Sequence, residues 1–235
     1  MVCALVRHLG GDCVRLGARV SAIDGTGPFL VRTATDSIDA RTVVIATPAP
    51  VTAALLRPRD PSLAELCGEV KYSSVATVAI ALRRDAVAHP LNGSGFVVPR
   101  AERTGILAAS WLSSKWPNRA PEGHVLLRTF IGGARDPDAL SRDDDELIGL
   151  SMKALRPLLG ISGEPLFTRV YRWIGANAQH EVGHTARMAA IDSALARHSG
   201  VFITGSGFRG IGIPDCVADG RSTAAAVSDF LRERP

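Results

Sequence analysis

The stretch Val201-Phe-Ile-Thr-Gly205-Ser-Gly207-Phe-Arg-Gly210-Ile-Gly212-Ile-Pro-Asp215 decides the fold. An apolar run leads into a glycine-dense turn, and a helix is expected to follow. The turn contains a Gly-x-Gly-x-x-Gly pattern, which usually marks a dinucleotide site where the backbone approaches a pyrophosphate at a helix N-terminus. Only 25 residues follow Gly210, enough for one helix but not for the second strand of a βαβ unit. The pattern therefore predicts a cofactor-contacting turn rather than a phosphate loop.

Length and composition indicate a globular protein with ample core material. The chain has 235 residues, of which 46% are hydrophobic and 21% charged, so one large domain or two smaller ones are expected. Of its 27 basic residues only three are lysines. Two explanations of the arginine excess are open. One is coding bias. The other is that some arginines bind the carboxylates of an acidic ligand, since a guanidinium group binds a carboxylate bidentately. No basic block is interleaved with aromatic residues, which argues against a nucleic-acid partner.

The four cysteines point to a reducing compartment. Cys3, Cys13, Cys67 and Cys216 form no C-x-x-C pair and no cluster with zinc spacing. We therefore expect free thiols, no metal site and a cytoplasmic location. The chain has no signal-peptide pattern and no apolar run of roughly 18 residues, so we expect no transmembrane segment. Association with a membrane surface is left open.

Residues 1–56 divide into short elements at glycine and proline turns. We expect a helix over 1–9, strands over 17–23 and 29–33 joined as a hairpin, a polar turn over 36–41, a strand buried on both faces over 42–46, and a helix over 51–56. A new region begins after Pro61. It contains apolar runs over 75–82, 95–99, 105–110 and 124–131 without intervening helical patterns, which predicts antiparallel strands.

The region then becomes helical before it returns to a strand. A helix is expected to start at Ser141-Arg-Asp-Asp144 and to end at Gly160, followed by a strand over 167–173, a loop over 175–184 and a helix over 186–196. The acidic run at the helix start is interpreted as capping rather than as metal binding. His180 and His184 have i, i+4 spacing but no acidic partner, so we interpret them as loop residues. No serine lies in a Gly-x-Ser-x-Gly elbow, which leaves a serine hydrolase unsupported.

Several segments, in order along the chain, resemble those of the protoporphyrinogen/coproporphyrinogen oxidases. These are FAD enzymes of haem synthesis within the flavin amine oxidase superfamily. The segments are Leu16-Gly-Ala-Arg-Val20, Val43-Val-Ile-Ala-Thr-Pro-Ala49, Gly93-Ser-Gly-Phe-Val-Val-Pro-Arg100, Trp111-Leu-Ser-Ser-Lys-Trp-Pro117, Ala176-Asn-Ala-Gln-His-Glu-Val-Gly-His184 and the terminal glycine turn through Arg221. Ala178 and His180 stand where the family usually has Pro and Tyr.

The resemblance extends over essentially the whole chain but only over the second half of the family pattern. It implies an α/β (α+β) fold. Residues 1–56 and 200–235 would form part of a FAD-binding domain, and 57–199 a substrate-binding domain with a mixed or antiparallel sheet. The family's N-terminal phosphate-loop half is absent from these residues, so we expect an N-terminal part that is missing or separately encoded.

The resemblance also implies a set of FAD-binding residues. Val20 would contact the adenine through its backbone, and Ala46, Thr47 and Pro48 would lie near the diphosphate or ribose. Gly205 and Ser206 would lie beside the flavin and ribityl chain, and Trp173 near the flavin. The N–H groups of Ile211, Gly212 and Ile213 would face the pyrimidine edge of the isoalloxazine, where a helix N-terminus stabilises negative charge.

The implied reaction is the FAD-dependent oxidation of a porphyrinogen to a porphyrin, with O2 as final acceptor. A ring methylene would give hydride to the flavin, and no side chain is named as a catalytic acid or base. Coproporphyrinogen III and protoporphyrinogen IX remain equal alternatives. Two other interpretations stay open. One is a related flavin oxidoreductase acting on an amine or a carotenoid. The other is a non-catalytic or split C-terminal fragment that needs an N-terminal half.

Overall fold

Two units make up the part of the chain that the computed structural model describes, residues 2–10 and 13–233. The first unit combines Met1–Lys71 with Gln179–Pro235, and the second is Tyr72–Ala178. Both boundaries fall inside the region 57–199, so the first unit takes in residues from each end of that region. The assignment of 1–56 and 200–235 to FAD binding and of 57–199 to substrate binding remains a prediction about function.

A three-stranded antiparallel sheet follows helix α1 (Val2–Leu9) in the first unit. β1 (Val20–Asp24) pairs with β2 (Phe29–Thr33), which confirms the predicted hairpin. β3 (Ser37–Ala40) then pairs with β2, so the predicted polar turn over 36–41 is wrong. Three of the four residues of β3 are exposed. For that reason the segment lacks the apolar alternation by which a half-buried strand is recognised.

A second, parallel pair of strands joins two distant parts of the chain. β4 (Val43–Ile45) pairs in register with β10 (Val201–Ile203), placing Ile45 opposite Ile203. Both isoleucines are buried, but Val44 is 43% exposed, so the prediction that 42–46 is buried on both faces is wrong. The apolar run reflects one fully buried face, because Val44 and its neighbour Phe202 lie on the other face, which is only partly covered.

Among its described residues, the first unit has four further helices: α2 (Ala49–Leu56), α3 (Pro61–Gly68), α6 (His184–Leu195) and α7 (Ile213–Glu233). α2 and α6 confirm the helices predicted over 51–56 and 186–196. α3 was not predicted, although its start has a clear signal. Asp60 caps it by accepting from the Leu63 N–H at 2.9 Å, and Pro61 occupies the first turn, where a missing N–H costs nothing.

A five-stranded sheet organises the second unit. Its strands are β5 (Lys71–Arg83), β6 (Gly95–Val97), β7 (Ala108–Trp111), β8 (His124–Gly132) and β9 (Phe167–Gln179), in the spatial order β6-β7-β8-β5-β9. The β5–β8, β6–β7 and β7–β8 pairs are antiparallel, as predicted. β9 runs on to Gln179, so the loop predicted over 175–184 is wrong in its first half. Short 3-10 turns lie at Arg84–Ala86, Gly133–Arg135 and Ala139–Ser141.

Helix α5 (Asp144–Leu159) covers one face of this sheet, and the short helix α4 (Leu112–Lys115) follows β7. The core residues Leu127, Leu147 and Leu155 are fully buried between sheet and helix. The helix is capped by Asp143, which exchanges hydrogen bonds with Glu146 in a capping box, two residues after the predicted start at Ser141. Among the described residues, no helix is both long enough and apolar enough to cross a bilayer.

Candidate functional site

The carboxyl ends of β4 and β10 lie side by side in the first unit. The Thr204 N–H donates to the Ile45 carbonyl at 3.1 Å. A Cβ atom on Gly205 would lie 3.6 Å from the Ala46 carbonyl oxygen. Parallel strand ends of this kind are where α/β sheets usually bind ligands. The fold thus brings Ala46 next to Gly205, with Thr47, Pro48 and Ser206 following them in sequence.

Asp219, from the second turn of α7, fixes the start of the glycine turn. Its carboxylate accepts from the Thr204 hydroxyl and from the Gly205 N–H at 3.2 Å, and its side chain is only 8% exposed. Arg209 donates to the Ile203 carbonyl at 2.9 Å and lies beside the same carboxylate. Asp219 was not predicted as a site residue, because nothing in the local sequence pattern shows that its side chain reaches back to the strand.

The end of the turn has a backbone that only glycine fits. Gly210 has φ +154°, and a Cβ there would lie 2.4 Å from the Asp215 Cβ. The Asp215 carboxylate accepts from the Gly212 N–H at 3.2 Å. Gly212 therefore uses its N–H inside the turn. Among the residues that the structure describes, no acceptor binds the N–H of Ile211 or Ile213.

A stacked histidine pair supports the middle of the turn. The rings of His180 and His184 lie 3.8 Å apart at an angle of 10°, and His184 Nε2 donates to the Phe208 carbonyl at 2.6 Å. His180 Nε2 and His184 Nδ1 are both buried without a partner in the described residues. Burial, and then the neighbouring His184, lower the pKa of His180 against the opposing effect of the Ser206 and Gly207 backbone.

His180 lies in the loop between β9 and α6, as predicted, whereas His184 is the first residue of α6. Both rings pack against the terminal turn, so their spacing is not a coincidence. Their spacing was visible in the sequence, but their shared contact with the turn was not. Within residues 2–10 and 13–233, no group of three or more His, Cys, Asp or Glu side chains could hold a metal ion.

The two remaining predicted residues belong to other elements. Val20 opens β1 opposite Thr33, at an irregularity in the hairpin register. Trp173 belongs to the second unit, where it is 52% exposed and its indole N–H donates to the Thr77 hydroxyl at 3.3 Å. The structure thus groups Ala46 to Pro48 with the terminal turn.

The chain matches known flavoproteins over nearly its whole length. Residues 1–228 match the family of flavin containing amine oxidoreductases. The coproporphyrinogen III oxidase of Bacillus subtilis (strain 168) is 37% identical over 196 residues, covering 83% of this chain and 41% of that protein. The chloroplastic protoporphyrinogen oxidase of Oryza sativa subsp. japonica is 30% identical, covering 97% of this chain and 45% of that protein.

Solved structures share the fold. A candidate protoporphyrinogen oxidase from Exiguobacterium sp. 255-15 superposes with a TM-score of 0.81 and 26% identity, covering 98% of this chain and 51% of that one. Cyclohexylamine oxidase from Brevibacterium oxydans IH-35A gives a TM-score of 0.70 at 17% identity, covering 97% of this chain and 51% of that one. The chain thus spans about half the length of the proteins it matches. It belongs to the flavin containing amine oxidoreductase family, and its sequence relatives include coproporphyrinogen and protoporphyrinogen oxidases.

Proposed function

We propose that this chain forms the flavin-edge and substrate-binding parts of an FAD-dependent porphyrinogen oxidase. The reaction is the oxidation of coproporphyrinogen III or protoporphyrinogen IX to the porphyrin, with O2 as final acceptor. The observation that carries the proposal is the terminal turn, where the N–H groups of Ile211 and Ile213 find no acceptor among the described residues at the start of α7. The named activities of the B. subtilis and rice relatives support the choice of substrate.

The residues of the turn fit the edge of a flavin. Free backbone N–H groups at the N-terminus of a 21-residue helix favour an acceptor that carries negative charge. Ile211 and Ile213 are both exposed, so a ligand can approach this end of α7. Gly212 shapes the turn, because its N–H is held by Asp215. FAD, when bound, would supply the hydride-accepting group.

The other FAD contacts are proposed from their positions in the family pattern. Gly205 and Ser206 would lie beside the flavin and ribityl chain, and Ala46, Thr47 and Pro48 near the diphosphate or ribose. Ala46 has only a methyl side chain and Gly205 has none, so at the ends of β4 and β10 the backbone is not screened by large side chains. Val20 is assigned to the adenine, and Trp173 to the flavin.

We assign no side chain as general acid or base. Both histidines near the turn pack against its backbone. Burial and the neighbouring His184 lower the pKa of His180, which disfavours the charged ring and suits a support inside the fold. The chain's own contribution is to hold the turn rigid, present its N–H groups and bind the substrate.

A second candidate function is cofactor and substrate binding without independent catalysis. On that account the chain would act with an N-terminal half supplied by a separate polypeptide. The observation that favours it is the share of the relatives' length that the chain spans, 41% of the B. subtilis protein and 45% of the rice protein.

Porphyrin fluorescence distinguishes the two candidates. The purified chain would be supplied with FAD and with freshly reduced coproporphyrinogen III or protoporphyrinogen IX, with and without O2. A rate above the spontaneous oxidation that depends on FAD, chain and O2 supports the oxidase, and the faster substrate identifies its specificity. If FAD is bound but the rate equals the spontaneous one, independent catalysis is refuted and the binding function is favoured.

A further inference from the structure

The five-stranded sheet of the second unit has a face that α5 does not cover. Alternate residues of a strand point to opposite faces. On β8, Leu127 and Thr129 lie on the α5 side, since Leu127 belongs to the core and the Thr129 hydroxyl is 2.7 Å from the Ser151 hydroxyl of α5. Arg128, between them, therefore lies on the opposite face.

Arg128 has no counter-ion in the part of the chain that the structure describes. Its guanidinium carbon lies 4.7 Å from the centroid of the Phe130 ring, and its Nε atom is buried with no hydrogen-bond partner among the same residues. None of the ion pairs in the described residues includes it. A buried guanidinium N–H that is left unsatisfied costs free energy, so a fold retains one mainly where a ligand supplies the acceptor.

The surroundings of Arg128 suit a carboxylate from outside the protein. Its cross-strand neighbours are small, Ala79 on β5 and Ser110 on β7. All five strands lie in the described part of the chain, and none contains Asp or Glu. Of the other arginines of the sheet, Arg83 pairs with Asp85 and Arg172 with Asp144. Arg169 lies beside the Phe167 ring but is exposed, so its N–H groups can reach water, unlike the buried Nε atom of Arg128.

We infer that Arg128 binds a carboxylate side chain of the porphyrinogen on this face of the sheet. This inference rests on the proposed function, since it takes the tetrapyrrole as the ligand. Both alternative substrates carry such carboxylates. An arginine is suited to the role because its N–H groups match the two oxygens of a carboxylate.

Equilibrium binding of oxidised coproporphyrin III, a stable relative of the substrate, tests the inference. The probe would be titrated into the FAD-supplemented chain and followed by its absorbance and fluorescence, with the tetramethyl ester as the uncharged comparison. Arg128→Gln should weaken binding of the free acid by about 10- to 100-fold and leave ester binding unchanged. Arg128→Lys should recover part of the loss. Arg83→Gln, at an arginine already paired with Asp85, is the matched control and should change nothing.

The outcomes separate this inference from the proposed function. If the free acid binds Arg128→Gln as tightly as the wild type, or if Arg83→Gln weakens it equally, Arg128 does not recognise the carboxylate while the proposed function stands. If the wild type binds neither the acid nor the ester, the inference and the proposed function both fail. The melting temperature adds an independent readout. A structural role for Arg128 predicts that Arg128→Gln is less stable, whereas a ligand-binding role predicts that it is at least as stable as the wild type.

Discussion

The carboxylate of Asp219 accepts a hydrogen bond from the backbone N–H of Gly205 at 3.2 Å. The same carboxylate holds the Thr204 hydroxyl, so one buried acid joins the end of β10 to helix α7. This contact fixes the geometry of the turn on which the proposed flavin contact depends.

Asp219→Ala should therefore destabilise the first unit. The substitution leaves two donors of the turn without their acceptor, and an unsatisfied buried donor costs about 1–3 kcal/mol. Urea unfolding followed by circular dichroism measures the loss. Asp229→Ala on the same helix is the control. Its pair with Arg232 is exposed, so that change should cost less than about 1 kcal/mol. Equal losses for the two variants would show that Asp219 has no special role.

Gly210→Ala should disrupt the turn. The new Cβ would lie 2.4 Å from the Asp215 Cβ, and the backbone has φ +154°, where alanine is strained. We expect a loss of about 1–3 kcal/mol in unfolding free energy. Gly220→Ala is the matched control, because no atom lies within 4 Å of a Cβ at Gly220 within α7. That change should stabilise the helix by about 0.5–1 kcal/mol. A harmless Gly210→Ala would refute the described turn.

His180 should make the fold sensitive to mild acid. Its pKa is lowered in the folded state by burial and by His184, so the unfolded chain takes up a proton at a higher pH than the folded chain does. The free energy of unfolding is therefore retained above pH 6.5, the ordinary pKa of histidine, and is lost as the pH falls below that value. His180→Phe should lose less stability than the wild type between about pH 7.5 and 5, measured by urea unfolding. If the unfolding free energies of His180→Phe and the wild type change with pH in parallel, the buried environment described for His180 is contradicted.

Asp60 should contribute a second, more acidic transition. Hydrogen bonds from His198, then from Ser62 and the Leu63 N–H, lower the pKa of Asp60. Because the pKa of Asp60 is lower in the folded state, its contribution to stability is present above pH 3.8, the ordinary pKa of aspartate. That contribution is lost as the pH falls below this value. Asp60→Asn keeps a good helix cap but has no charge to lose. Its melting temperature should fall less steeply than that of the wild type as the pH is lowered below 3.8. If the melting temperature of the wild type falls with pH as gradually as that of Asp60→Asn, this role of Asp60 is contradicted.

The sequence was sufficient for features whose signals are local. The hairpin from Val20 to Thr33 is marked by Gly25–Pro28, and the antiparallel sheet by apolar runs between glycine and proline turns. The terminal glycine turn was predicted because closely spaced glycines allow the backbone to approach a cofactor. α3 was missed although its cap at Asp60 was visible.

Contacts between distant segments could not be predicted from local patterns. The pairing of β4 with β10 and the reach of Asp219 to Gly205 depend on tertiary packing. The stack of His180 on His184 required knowing that both rings contact the terminal turn. Arg128 carried no signal in the sequence, since only the structure shows that its Nε atom is buried without a partner among the described residues.

The measurement that tests the central claim most directly is FAD binding by variants of Ile213. Ile213 is the first residue of α7, where proline is tolerated, so Ile213→Pro removes the proposed N–H donor while keeping the helix. Ile213→Val keeps the N–H and is the matched control. Titration of FAD fluorescence should show binding to the wild type and to Ile213→Val, and binding about tenfold weaker to Ile213→Pro. A wild-type chain that binds no added FAD, or an Ile213→Pro variant that binds it equally well, would contradict the account.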